Sequence, residues 1–188
     1  MFKEIYERYN ESKGSAIGEQ MTRSNPLDLE QSFDKLYREN LRALFQYLFS
    51  RVQDIHLAED LSSETFISAF ESLNRLKSAD KFKPWLFTIA RNKANDHFRR
   101  LKRQPTLELD EEIAALPLQE QAGNNNQDQR VLVQQLFARL KPAEQELLRL
   151  KLVASLTFKE IAILLKSNEN NVKKSYYRLL ERLQAQVE

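Results

Sequence analysis

Thr157-Phe-Lys-Glu-Ile-Ala-Ile-Leu-Leu-Lys-Ser-Asn-Glu-Asn-Asn-Val-Lys-Lys-Ser-Tyr-Tyr-Arg178 is the stretch that decides the fold of the C-terminal part of the chain. Thr157 and Glu160 have the spacing of a capping box, which predicts a short helix over 158–165. Asn168 can cap a second, longer helix over 169–186. The apolar spacing of this second helix predicts an inward stripe of Val172, Tyr176, Leu179 and Leu183. A helix, a tight turn of about three residues and a longer helix form the helix-turn-helix layout.

The opposite face of the second helix is polar and cationic. With the apolar stripe packed inward, the side chains expected to project outward are Asn170, Asn171, Lys173, Lys174, Tyr177 and Arg178. Amides, cations and a phenol suit base edges and phosphates, so the pattern favours DNA binding. The alternative is a plain helical hairpin with a solvated basic face.

The most basic segment of the chain is 81–103. It holds eight Lys or Arg and one acid, Asp96, a net charge of +7 in a chain whose total is only +2. Pro84 suits the start of a helix, and the spacing of Trp85 and Ile89 predicts a helix over 84–103 with one packed face. Aromatic rings beside cations are typical of single-stranded nucleic-acid binding. The alternative is a solvated helix end whose cations complement the helix dipole.

The remaining pattern predicts an all-α fold of two small helical domains joined by a flexible linker. Residues 1–30 are expected to be a loosely ordered extension. The first domain, 31–103, contains amphipathic helices near 33–48 and 57–76, the second with Ala58, Leu61, Thr65, Ala69 and either Phe70 or Leu73 inward. Residues 104–130 form an acidic linker with too little apolar surface to fold alone. The second domain, 131–188, adds helices over 131–140 and 142–153 before the helix-turn-helix.

Composition excludes several functional classes. Cysteine is absent, which removes disulfides, thiolate metal sites and thiol catalysis. His56 and His97 are too few for most histidine metal sites, and three glycines cannot build a phosphate-binding glycine loop. No apolar run suggests a membrane span or a signal peptide. We therefore expect a cytoplasmic protein that is not an enzyme and has no metal, cofactor or membrane insertion.

The stretch 58–66 carries three carboxylates, Glu59, Asp60 and Glu64. Asp60 and Glu64 share a helix face with no histidine nearby, which argues against acid–base chemistry. The face is either a solvated acidic surface or a docking surface for another protein.

Three ordered motifs carry a family resemblance. They are Ala58-Glu-Asp-Leu with Glu64-Thr-Phe66, then Trp85-Leu-Phe-Thr-Ile-Ala-Arg-Asn92 with Asp96 and Arg99-Arg100, then Thr157-Phe-Lys-Glu-Ile-Ala162 with Val172-Lys173 and Arg178. Together they resemble bacterial RNA polymerase sigma factors of the extracytoplasmic-function (ECF) group. The resemblance covers about 30–103 and 130–186.

The resemblance implies three sets of site residues. The helix that docks core RNA polymerase would contain Asp60, Leu61, Glu64 and Phe66. The loop at about 75–84 and the next helix would capture and melt the minus-ten element, through Lys83, Trp85, Thr88, Arg91, Asn92, Asn95, Arg99, Arg100 and Arg103. The minus-thirty-five element would be read by Asn170, Asn171, Lys173, Lys174, Tyr177 and Arg178.

Some positions depart from the family pattern. Ser63 stands where glutamine is common, and Asn170-Asn171 replace a Gly-Thr type pair. Lys166 replaces the usual glycine of the helix-turn-helix turn, where a left-handed backbone would cost about 1 kcal/mol.

The resemblance implies a transcription initiation factor whose partners are core RNA polymerase, promoter DNA in duplex and melted form, and an anti-sigma factor. Two other classes fit the residues alone. A stand-alone helix-turn-helix regulator would bind duplex DNA by itself as a dimer at spaced half-sites. A helical adaptor would bind no DNA.

Overall fold

The computed structural model describes residues 26–73, 76, 78–103 and 134–185. Domain 1 consists of α1 (Pro26–Val52), α2 (Ile55–Glu71), a 3₁₀ turn (Ala79–Lys81) and α3 (Phe82–Leu101). Domain 2 consists of a helical segment at 134–138, α4 (Pro142–Leu148) with its π-helical continuation (Arg149–Val153), α5 (Phe158–Leu164) and α6 (Glu169–Gln184). The described residues contain no strand, which confirms the all-α prediction.

Domain 1 is held together by aromatic rings from all three of its helices. Phe33 of α1 meets Phe66 of α2 and Phe82 of α3 edge to face, with ring centroids 6.4 and 6.1 Å apart. Tyr37 packs against Phe66 at 4.5 Å. Phe33, Phe66 and Phe82 are each at most 1% exposed. Large aromatic side chains bury more apolar area than any other residue type, so these rings are a major source of stability for the domain.

Domain 2 is built on local signals that the sequence displays. Thr157 and Glu160 form the predicted capping box, with Glu160 N donating to Thr157 Oγ1 at 3.2 Å and Thr157 N donating to Glu160 Oε2 at 2.7 Å. Asn168 Oδ1 accepts from Asn170 N at 2.8 Å and caps α6 as predicted. The observed helices end one or two residues earlier than expected, at Leu164 and Gln184.

The turn between α5 and α6 is a Schellman motif. Ser167 N donates to Ala162 O at 2.8 Å, and Lys166 N donates to Ile163 O at 3.2 Å, which satisfies the last carbonyls of α5. The motif requires a left-handed backbone, and Lys166 adopts φ 51°. The strain anticipated for a non-glycine residue at this position is therefore present.

The beginning of domain 1 differs from the prediction. A helix is present from Pro26, so the last five residues of the predicted loose extension are helical. Proline suits a helix start because its missing N–H would have no partner there. Residues 1–25 and the predicted linker 104–130 lie outside the described residues, as does the predicted helix start at residue 131.

The two domains pack against each other. The π-helical turn of domain 2 lies against α1, and α5 lies against α3. The helix that carries the basic segment of domain 1 therefore contacts the first helix of the helix-turn-helix.

Candidate nucleic-acid and polymerase interfaces

The outward face of α6 has the arrangement that the sequence predicts. Val172, Tyr176 and Leu179 are buried, and Leu183 is partly buried. On the other side, Asn170, Asn171, Lys174, Tyr177 and Arg178 are exposed, and Lys173 is partly exposed. Lys173 Nζ pairs with Glu169 at 2.8 Å, one turn earlier on the same helix. The face thus offers two amides, three cations and a phenol to solvent.

An aromatic cluster supports this face from below. The Phe158 ring lies 5.4 Å from Tyr176 and 6.0 Å from Tyr177, and Lys151 Nζ lies 4.6 Å above Phe158. These contacts fix the start of α5 against the middle of α6. Tyr177 remains 55% exposed, so it combines a packed edge with a free phenol. Sequence reasoning missed the role of Phe158, whose only signal was its place directly after the capping residue.

The basic face of α3 is only partly free. Asn92 and Arg100 are exposed, as is Arg99, which pairs with Asp96 at 2.9 Å. Arg103, two residues beyond the helix end, is exposed as well. Thr88 Oγ1 donates to Pro84 O at 2.8 Å within the helix.

The packed side of α3 differs from the prediction. Trp85 and Ile89 are only partly buried, and Trp85 lies 5.9 Å from Phe82. The buried side is formed by Phe82, Pro84, Leu86, Phe87, Ala90 and Ala94. Because α3 packs against three helices, α1, α2 and α5, its buried stripe is wider than the spacing of Trp85 and Ile89 indicates.

The predicted polymerase-docking residues divide into two groups. Asp60 and Glu64 are exposed on one face of α2, and Glu64 pairs with Lys93 of α3 at 3.2 Å. Leu61 is 5% exposed and Phe66 is 1% exposed, and both belong to the core. Both side chains support the face that carries Asp60 and Glu64, and the assignment of all four residues to polymerase docking stays a prediction.

A buried polar network joins the two domains around Glu146 of α4. Tyr47 donates its hydroxyl to Glu146 Oε1 at 2.7 Å. Arg51 Nη1 and Arg91 Nε lie 3.5 and 3.3 Å from the same oxygen. Arg149 Nε donates to Ser50 O at 3.2 Å. No sequence signal indicated this network, because its partners lie up to 99 positions apart and no helical period connects them.

Burial shifts the pKa values of the ionisable groups in this network. Burial raises the pKa of Tyr47, and the neighbouring Glu146 carboxylate raises it further, so the phenol stays a donor. Burial lowers the pKa of Arg149 to about 10, against the favourable charge of Glu146. Burial also lowers the pKa of Arg51, but Tyr47 and Glu146 outweigh it and the net shift is upward. Both guanidinium groups therefore remain cations at neutral pH.

Two further observations concern other kinds of site. Across the described residues, no three or more His, Cys, Asp or Glu side chains are grouped so that they could hold a metal ion. None of the helices in the same part of the chain combines the length and apolarity needed to cross a bilayer.

Both parts of the chain match known sequence families. Residues 36–104 match sigma-70 region 2, and residues 130–183 match sigma-70 region 4. The chain is 29% identical over 154 residues to the ECF RNA polymerase sigma factor SigM of Bacillus subtilis, covering 82% of this chain and 94% of SigM. It is 28% identical over 166 residues to the ECF sigma factor SigX of the same organism, covering 85% of this chain and 86% of SigX.

The fold is also shared with solved structures. One is RpoE in complex with the anti-sigma factor NepR from Bartonella quintana, with a TM-score of 0.65, 22% identity, and coverage of 82% of this chain and 96% of RpoE.

Proposed function

The chain belongs to the sigma-70 family of bacterial RNA polymerase sigma factors, within the ECF group, and we propose that its two helical domains divide promoter recognition between them. As a sigma factor it directs core RNA polymerase to specific promoters and initiates DNA-templated transcription. We place this activity in the cytoplasm. In this proposal domain 2 reads the minus-thirty-five element, and domain 1 docks polymerase and captures the minus-ten element.

The observation that carries the proposal is the outward face of α6. A helix that is buried along Val172, Tyr176 and Leu179 holds its other side rigidly, and that side carries amides and cations. Lys173, Lys174 and Arg178 are placed to contact phosphates, and Asn170 and Asn171 to read base edges. Tyr177 adds a hydrogen-bonding phenol.

The exposed part of α3 is the proposed surface for the melted minus-ten strand. It carries Asn92, Asn95, Arg99 and Arg100, with Arg103 just beyond the helix end and Trp85 and Thr88 nearer the helix start. Lys83 and Arg91 extend the cationic surface along the helix. An unpaired base that stacks on an aromatic ring is bound only in the open form, so stacking of about 1–3 kcal/mol per base offsets part of the cost of melting.

Direct contact with polymerase is proposed for Asp60 and Glu64, the exposed members of the predicted docking set. Their carboxylates are exposed on one face of α2, and the buried Leu61 and Phe66 hold that face in place from beneath. A cationic surface of core polymerase is the complementary partner. Because the structural neighbour RpoE is found in complex with the anti-sigma factor NepR, we also assign this chain an anti-sigma partner that covers these surfaces.

Salt dependence of holoenzyme binding tests the α6 assignment. The variant Lys173→Ala/Lys174→Ala/Arg178→Ala should lower the slope of log K against log salt by about 3, roughly one unit per lost phosphate contact. The matched control is Lys35→Ala, which removes a lysine that is 76% exposed on α1 in domain 1. An unchanged slope and promoter affinity in the triple variant would remove α6 from the DNA interface.

A further inference from the structure

Tyr177 lies on the outward face of α6 as an exposed but ordered aromatic ring. Among the described residues, four large apolar side chains are about half exposed, and Tyr177 is the aromatic one. Its ring meets the buried Tyr176 ring edge to face, with centroids 5.6 Å apart, and lies tilted against the Phe158 ring at 6.0 Å. Because these contacts already restrict the side chain of Tyr177, little further entropy is lost when a ligand covers its exposed side.

Two cations hold the Phe158 ring beside Tyr177. Lys151 Nζ lies 4.6 Å from the centroid of the Phe158 ring and donates to Leu156 O at 3.1 Å, so a backbone carbonyl fixes the ammonium group over the ring. Lys173 Nζ lies 6.0 Å from the same ring. Phe158 is also the first residue of α5. A chain of contacts therefore runs from the π-helical turn, through the Phe158 ring, to the outward face of α6.

The surroundings of Tyr177 indicate which part of DNA its ring can recognise. Lys174 and Arg178 are exposed beside it on α6. Cations on both sides of the ring suit phosphates, so they direct the ring toward the groove between the phosphate rows. The major groove presents one apolar group, the C5-methyl of thymine, which side chains with apolar surface recognise by direct contact. A fixed ring edge among cations therefore favours thymine over the other three bases.

We propose that Tyr177 and Phe158 form a thymine-methyl site, which contacts the methyl group of one thymine in the minus-thirty-five element, and that Lys151 is a positioning residue that keeps this site in place. The inference rests on the proposed role of α6 in reading that element, and it adds the base that the middle of the helix selects. Lys151 acts through Phe158 and does not contact DNA. The site requires the aromatic ring of Tyr177 and not its hydroxyl group.

Replacement of thymine by uracil tests the thymine-methyl site without changing the protein, because uracil pairs like thymine and lacks only the methyl group. A promoter is first identified by transcription with the natural chain and core polymerase. Each thymine of its minus-thirty-five element, on either strand, is then replaced singly, and holoenzyme affinity is measured by fluorescence anisotropy. One replacement should weaken binding about fourfold, the effect of returning one methyl-sized group to water. A minus-thirty-five element without thymine, or an element in which no replacement weakens binding, would overturn the proposal.

Two substitutions of Tyr177 show whether this residue recognises the methyl group. Tyr177→Ala removes the ring, so thymine and uracil should bind equally well at the sensitive position. Tyr177→Phe removes only the hydroxyl group, so the difference between the two bases should remain. The two bases are compared within each variant, so a general loss of affinity or stability cancels. A difference that persists in Tyr177→Ala, or that disappears in Tyr177→Phe, would overturn the assignment.

Two substitutions of Lys151 separate positioning from a direct phosphate contact. Lys151→Met keeps the length of the side chain and removes its charge, so the preference for thymine over uracil should fall to about twofold or less. The salt slope of promoter binding should stay unchanged. Lys151→Arg returns a cation to the Phe158 ring and should restore the preference. An unchanged preference in Lys151→Met, or a slope lowered by about one unit, would refute the positioning role.

The same binding assay separates this inference from the proposed function. If the Lys173→Ala/Lys174→Ala/Arg178→Ala variant kept the affinity and salt slope of the natural chain, α6 would not contact DNA and the proposed function of domain 2 would fail. If that variant lost promoter binding while uracil and thymine were equivalent at every position, the proposed function would stand and the thymine-methyl site alone would be refuted.

Discussion

Replacing Phe66 with alanine should strongly destabilise domain 1 rather than only remove a docking contact. The side chain is 1% exposed, and its ring packs against Phe33 and Tyr37 with centroid distances of 6.4 and 4.5 Å. A buried Phe-to-Ala change costs about 3–5 kcal/mol, and loss of the two aromatic contacts places this site toward the upper end. A domain of about 70 residues is stable by only about 4–10 kcal/mol, so the loss removes about half or more of its stability.

Urea unfolding followed by two signals measures this loss. Trp85 is the only tryptophan of the chain, and it lies 5.9 Å from Phe82, so its fluorescence reports on domain 1. Circular dichroism reports on all helices together. The Phe66→Ala midpoint should fall steeply in the fluorescence signal, whereas Phe66→Leu, which keeps most of the volume, should lose less than half as much. This reasoning would be refuted if Phe66→Ala unfolded at the same urea concentration as the natural chain but bound polymerase more weakly. Phe66 would then contact polymerase directly.

Two other substitutions probe the surface of α2 and the turn before α6. Asp60→Lys reverses an exposed charge on the proposed docking face. The affinity for core polymerase, measured by fluorescence anisotropy, should fall about tenfold or more, while the unfolding midpoint stays unchanged. An affinity equal to that of the natural chain would contradict the docking assignment. Lys166→Gly relieves a left-handed backbone that costs about 1–2 kcal/mol but adds about 0.5–1 kcal/mol of unfolded-state entropy, so stability should rise by up to about 1.5 kcal/mol. A change of Lys174 to glycine, inside α6, should instead lower stability by about 1 kcal/mol. If thermal unfolding showed the same loss of stability for both glycine variants, the strain argument would be contradicted.

The sequence predicts much of domain 2 because caps and turns between neighbouring residues determine its helices. The capping box at Thr157, the cap at Asn168 and the left-handed turn at Lys166 each depend on residues within a few positions of each other. Such interactions form in the same way in most contexts, so their position in the sequence determines their position in the structure. The outward face of α6 is predicted for the same reason, because its apolar stripe can face the core in only one orientation of the helix.

Tertiary packing explains what the sequence does not predict. The burial of Phe66 depends on α1 and α3 closing over α2, and a resemblance to a docking motif cannot distinguish a contacting side chain from one that supports the contacting face. Trp85 is only half-buried, beside Phe82, because other residues such as Leu86 and Phe87 take the inward positions of α3. The pairing of Tyr47 with Glu146 joins positions 99 residues apart, which no periodicity within one helix encodes.

Reconstituted transcription tests the central claim most directly. Purified chain is added to core RNA polymerase on fragmented genomic DNA, and the 5′ ends of the transcripts are mapped. The account predicts transcripts that start at a small set of discrete positions, that require the chain, and that are lost with the Lys173→Ala/Lys174→Ala/Arg178→Ala variant but not with Lys35→Ala. Chain-independent transcripts only, together with tight dimeric binding of the chain to duplex DNA in the absence of polymerase, would contradict the account and identify a stand-alone regulator instead.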